Sequence, residues 1–171
     1  YGVIMYVAFI FAAIYIGYSI GSSPITSYNY GSGNHAELKN VFRKSLIIIT
    51  IVSICMLAAS QLAATTLAGI FVSYDKELFD LTVNGFKLYS LSFLFSGFNI
   101  FSSAFFTALN NGLISAVISF LRTLVFQVSA VFILPLLIGV NGIWLAVVAA
   151  EILTLIFSVI FLITNRKKYH Y

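Results

Sequence analysis

The chain has 171 residues, of which 61% are hydrophobic and only 8% charged, with a formal net charge of +4 from 9 basic and 5 acidic side chains. Soluble domains average about 45–50% apolar and about 25% charged residues, and disordered chains combine low hydrophobicity with high net charge, so both classes are excluded. The few cations are too scattered for nucleic-acid binding, and a mean hydropathy of +1.05 makes lipid the solvent for most of the surface.

A membrane-spanning helix takes about 20 apolar residues, and the apolar content suffices for five. The sequence therefore predicts an all-α, polytopic membrane helix bundle. The first helix is expected at about 3–27, ending where Gly31 and Gly33 interrupt the pattern. The others are expected at about 41–72, 86–109, 113–138 and 143–164. The connections are then short, apart from one at 73–85. The chain opens at Tyr1 inside an apolar run, without the basic flank and cleavage site of a signal peptide. It is expected to be a piece, residues 1–171, of a longer membrane protein.

Short loops make consecutive helices antiparallel, and basic residues mark the cytoplasmic side. Lys39, Arg43, Lys44, Arg166, Lys167 and Lys168 fall on one side, against Lys76 and Lys87 on the other. The first interhelical loop, the third and the C-terminus are thus expected in the cytoplasm of a multi-pass cell-membrane protein. Cys55 is the one cysteine, so no internal disulfide exists.

Polar groups inside spans are costly and usually turn away from lipid. Tyr15, Ser19, Ser22 and Thr26 recur at helical spacing in the first helix, and Ser92, Ser96, Asn99 and Ser103 in the third. Ser115, Ser119, Arg122 and Ser129 follow in the fourth, then Glu151, Thr154 and Ser158 in the fifth. One such stripe is ordinary interhelical glue; four in one bundle predict a shared polar cavity. Gly17 and Gly21 form a GxxxG predicted to pack within the bundle, and Pro24 and Pro135 predict kinks.

Two ionisable residues lie deep in the spans. Glu151 is ten residues beyond Asn141, about 15 Å into the membrane, where it could carry a proton or hold a cation. Measured from the turn between the last two helices, Arg122 lies about eighteen residues away and Glu151 about ten. The offset of about 12 Å excludes contact between regular helices, and leaves Arg122 to snorkel toward the surface. No metal-ligand or hydrolase motif and no phosphate-binding P-loop is present, so the sequence predicts neither an enzyme nor a resident cofactor or metal.

Several segments occur together in order: Pro24-Ile-Thr-Ser-Tyr-Asn-Tyr-Gly-Ser-Gly-Asn34, Phe106-Thr-Ala-Leu-Asn-Asn-Gly112, Ser119-Phe-Leu-Arg122, and Gly139-Val-Asn-Gly-Ile-Trp-Leu-Ala146 leading to Glu151. The chain resembles the C-terminal lobe of a multidrug and toxic compound extrusion (MATE) transporter. The resemblance implies helices eight to twelve of a twelve-helix fold, with the N-terminal lobe as missing partner. It also implies efflux of drugs or organic cations by antiport with H⁺ or Na⁺, through rocking of two lobes about a central cavity. Asn99 stands where the NorM branch carries a cation-binding aspartate, so the chain is similar rather to the MepA- or DinF-like branches, with the coupling acid expected in the missing lobe. Tyr15, Ser19, Ser22, Ser96, Asn99, Ser103, Arg122 and Glu151 are the candidate cavity, substrate or ion residues. Two alternatives stand beside this: a lipid-linked oligosaccharide flippase, which would need several deep basic residues, and a non-transporting scaffold, which would need no cavity.

Overall fold

A computed structural model describes all residues 1–171 and contains no strand. Three of the helices begin where an Asn or Asp side chain satisfies a free N–H of the first helical turn. The Asn34 side chain accepts the Glu37 N–H at 3.2 Å and opens α2 (His35–Val72); Asp75 accepts the Leu78 N–H at 3.1 Å and opens α3 (Lys76–Ser90). Asn111 accepts the Ile114 N–H at 3.2 Å and opens α5 (Gly112–Phe120). α1 spans Gly2–Gly31, α4 Phe93–Ala108, α6 Val128–Ile138 and α7 Val140–Tyr169.

Four rods are long and apolar enough to cross a membrane, and a fifth results if α3 and α4 form one bent span. Their lipid-facing sides stay uncovered: Leu136 is 87% and Leu62 82% exposed. α2 has 38 residues, about 57 Å, so one end projects well beyond an apolar layer of about 30 Å.

The helices depart from the sequence expectation in four places. α2 starts at His35, six residues before the expected 41, because the Asn34 cap lies upstream of the apolar run. The expected connection at 73–85 is mostly α3, an amphipathic helix hidden from a search for apolar stretches. A bend of 44° separates α3 from α4 at Leu91–Ser92, where no proline stands. There the ladder tightens to i→i+3 bonds, and the Gln61 side chain from α2 donates to the Lys87 carbonyl at 3.0 Å. α1 and α6 run through Pro24 and Pro135 without ending. The GxxxG expectation is also corrected: nothing lies within 4 Å of a Cβ placed at Gly17 or Gly21, so this face packs on no helix of the bundle.

The fourth departure concerns the span at 113–138. It is split into α5, a π-helical segment Leu121–Gln127, and α6. A Cβ at Gly142 would overlap the Leu134 carbonyl, so the start of α7 lies against Leu134 rather than beyond the end of α6. Counted from that crossing, Arg122 lies twelve residues back and Glu151 nine residues on. The offset shrinks to three residues, about 4.5 Å, and the wide π turns adjust it further.

α4 is the central rod, packed against α1, α2, α5 and α7, while α1 makes no extended contact with the α5–α6 rod. The ends of the bundle are set by aromatic and amide contacts. At one end the His35 and His170 rings are 4.6 Å apart, and Asn111 donates to the Tyr169 hydroxyl at 2.8 Å. This end carries the six cations counted above. At the other, Tyr1 stacks on Trp144 and the Asn84 amide bonds Asn141 at 2.8 Å.

Gly142→Ala in the full-length protein should lower stability by about 1–3 kcal/mol, because backbone cannot yield to the new methyl. Gly17→Ala should be neutral or gain up to about 1 kcal/mol from helix propensity. Thermal unfolding of the two variants in detergent checks both.

Candidate functional site

The π segment and the close crossing at Gly142 bring Arg122 and Glu151 together. Arg122 Nη2 and Nε donate to Glu151 Oε1 at 2.6 and 2.9 Å, and this is the one salt bridge of the chain. The expected separation of the two residues is therefore wrong, and Arg122 does not snorkel. The arithmetic failed because α7 starts against Leu134 rather than beyond the end of α6, and because the fourth span carries a π segment.

Glu151 is buried, and its second oxygen is also occupied. Asn99 Nδ2 from α4 donates to Glu151 Oε2 at 2.7 Å and to the Glu151 backbone carbonyl at 2.9 Å. Asn99 Oδ1 accepts from Ser158 Oγ at 3.1 Å. Four residues from three segments thus form one closed network: a carboxylate with three donors, an amide with donors and acceptor filled, a hydroxyl and a guanidinium. Arg122 Nη1 makes no bond within the chain, and the Arg122 side chain is 28% exposed.

Beside the network lies a cavity of about 170 Å³. Its wall from α1 includes Met5, Phe9 and Tyr15; α4 and the bend before it supply Ser92, Phe93 and Ser96; Arg122, Gln127 and Glu151 close the far side. It lies in the gap between α1 and the α5–α6 rod. The Tyr15 hydroxyl donates to the Phe93 carbonyl at 2.8 Å, so the Ser53 hydroxyl, also at 2.8 Å, donates to it. Tyr15 is thereby held in place by α2 and α4 at once.

The other candidates are placed differently. Ser96 lines the cavity but donates to its own helix at the Ser92 carbonyl, 2.9 Å away. Ser22 bonds the Ser19 carbonyl at 3.2 Å and Thr26 the Ser22 carbonyl at 3.1 Å. Ser19 Oγ is buried without a partner, and neither Ser19 nor Ser22 reaches the cavity. Ser103 joins a separate hydroxyl cluster, 2.8 Å from Ser115 and 3.0 Å from Ser119. Ser129 is exposed. The four stripes accordingly do not share one interior: Tyr15, Ser92, Ser96, Arg122 and Glu151 meet at the cavity, Asn99 and Ser158 back them, Ser22, Thr26 and Thr154 bond their own helices, Ser103, Ser115 and Ser119 bond one another, and Ser19 has no partner.

Sequence reasoning missed three features. Gln127 and Tyr89 line the cavity. A polar stripe on α2, Ser45, Ser53 and Ser60, is buried, with Ser45 taking the Tyr18 hydroxyl at 2.9 Å. The spacing of eight and seven residues, two helical turns each, was the available signal.

Residues 1–133 match the model of the MatE family. The chain belongs to the MatE family. The fold agrees with solved transporters of this kind. It superposes on a MATE protein crystallised in complex with MaL6 with a TM-score of 0.89, at 17% identity over 98% of this chain and 38% of that one. The inward-facing conformation of a multidrug resistance MATE family transporter of the MOP superfamily gives 0.88 at 18% identity, covering 97% of this chain and 39% of that one. The outward-facing conformation gives 0.85 at 19% identity, covering 97% and 38%. At these identities the likeness concerns the fold. The chain spans under two fifths of the length of these MATE proteins. Among curated protein sequences none matches.

Removing one member of a buried ion pair strands the other charge, which costs about 3–5 kcal/mol. Arg122→Met in the full-length protein should show a loss of that order in denaturant unfolding. Arg122→Met with Glu151→Gln should recover a large part of it, because Asn99 can still bond a neutral amide.

Proposed function

We propose that this chain is part of the C-terminal lobe, helices eight to twelve, of a MATE efflux transporter that exports drugs or organic cations by antiport with H⁺ or Na⁺. The observation that carries the proposal is the Arg122–Glu151–Asn99–Ser158 network, set at membrane depth against an open cavity. A network built only to glue helices needs no empty space beside it, and intramembrane ionisable groups at a cavity are the usual signature of a transport path. In this reading Glu151 responds to the coupling ion: a proton or cation arriving from the cavity competes with Arg122 for the carboxylate. Asn99 cannot titrate, and with both donors and its acceptor engaged it orients Glu151 rather than binding an ion itself. This favours the MepA- or DinF-like branches over the NorM branch, with a coupling acid in the missing lobe and Glu151 as a second, local one. The end bearing six cations faces the cytoplasm, and the missing N-terminal lobe completes the central cavity.

The flippase alternative is disfavoured by the fate of Arg122. It is the sole deep cation, and its charge is spent on Glu151, leaving nothing to neutralise a pyrophosphate. The scaffold alternative is disfavoured by the cavity.

The test is efflux of a fluorescent organic cation from vesicles holding the full-length protein, driven in turn by a proton and a sodium gradient. Export under one gradient is expected, and Glu151→Gln should leave a folded protein whose export no longer follows it. If coupling survives the substitution, Glu151 is structural; if no gradient drives export, the transport reading fails.

A further inference from the structure

On the side of α4 away from the cavity, a second and larger space of about 570 Å³ opens between α2 and α7. The two sides are distinct. At 3.6 residues per turn, Phe98 and Ser102, which line this groove, point roughly opposite to Ser96 and Ile100, which line the cavity. Its walls follow helical spacing: Lys39, Phe42, Arg43 and Leu46 along α2, and Leu155, Val159, Leu162, Ile163 and Arg166 along α7.

The groove has a polarity. Its apolar part runs from Leu155 toward Arg166, eleven residues or about 16 Å, close to half of a hydrocarbon layer of about 30 Å. At one end stand three exposed cations, Lys39, Arg43 and Arg166, none in a salt bridge. The acid nearest in sequence, Glu37, points away on α2, where it accepts from Asn40 at 3.3 Å. Arg166 Nε touches only the Tyr171 backbone carbonyl, at 3.2 Å. Burial, then the neighbouring Tyr169, raises the Tyr171 phenol above its ordinary range, against the opposing pull of Arg166. The phenol stays neutral and donates to the Leu162 carbonyl at 2.8 Å. No Asp or Glu side chain meets the three cations.

We infer that this groove holds one anionic phospholipid, its phosphate among Lys39, Arg43 and Arg166 and an acyl chain along the Leu155–Ile163 face. The match is one of charge and of length. A basic mouth between helices at the membrane surface is the recognition chemistry of acidic headgroups, and the apolar floor below it is one leaflet deep. A free phosphate would leave that floor unused, and a transmembrane helix would leave the cations unpaired. The inference goes beyond the transport proposal and does not depend on it.

Native mass spectrometry of the full-length protein, titrated with phosphatidylglycerol or phosphatidylcholine, tests it. One tightly retained phosphatidylglycerol is expected, not displaced by inorganic phosphate, with phosphatidylcholine held far more weakly. Since each basic residue contributes about 1 kcal/mol near an anionic headgroup, the triple variant Lys39→Gln, Arg43→Gln, Arg166→Gln should bind it on the order of 100-fold more weakly. Lys76→Gln with Lys87→Gln, at the other end, should change nothing. Val159→Trp, an exposed position, fills the groove with all cations intact and should also abolish retention. Equal retention by the triple variant or by Val159→Trp overturns the inference. So does equal retention of phosphatidylcholine, displacement by phosphate, or a wild-type protein that holds no lipid because another part of the chain covers the groove.

Discussion

A carboxylate buried among apolar helices cannot be left to itself, and the arrangement of the last three helical segments follows from that. The cost of an isolated charge in a low-dielectric interior far exceeds that of bending a helix. Glu151 has three side-chain donor bonds: two from Arg122 and one from Asn99. Bringing Arg122 to it requires the π segment Leu121–Gln127 and the absence of a side chain at Gly142. Counted from the Gly142 crossing, regular α geometry would still leave the two charges about three residues out of register. The irregular backbone is tolerated where the neighbouring α7 packs against it. Such π segments are frequent at functional sites.

Around this network the hydroxyl groups divide into two kinds. Those of Ser22, Thr26, Ser96, Ser102 and Thr154 bond carbonyls of their own helix three or four residues back. Satisfied in this way, they face apolar neighbours without cost and carry no information about a ligand. The second kind reaches between helices. Tyr15 to Ser53, Tyr18 to Ser45, and Ser103 to Ser115 are examples, and each fixes the relative height of two rods. In lipid, where hydrophobic burial between helices adds little, such bonds and close packing set the register. Gly97 makes one of these approaches possible: a Cβ there would strike the Tyr15 ring.

α4 separates two environments. Toward α1 and the π segment lies the small cavity with its ionic network, and on the opposite side the larger groove between α2 and α7 opens with three cations at its mouth. The first suits a path through the protein and the second a permanent occupant from the membrane. Both arise from the same helical repeat, since residues two positions apart on α4 point about 160° away from each other.

The number of spans and the gathering of six cations at one end were legible in the sequence, because they depend on local composition. The stripe on α4 and the turning of Glu151 away from lipid were legible from helical periodicity. The pairing of Arg122 with Glu151 was not, nor were the hidden helix α3 and the bend at Leu91. Each depends on how one helix packs against another: Leu134 against Gly142, Gln61 beside Lys87, α2 under α3. Helical periodicity tells which way a side chain points from its own axis. Only the packed bundle decides how high each axis stands beside the next, and at 1.5 Å per residue a shift of a few residues separates an ion pair from two stranded charges.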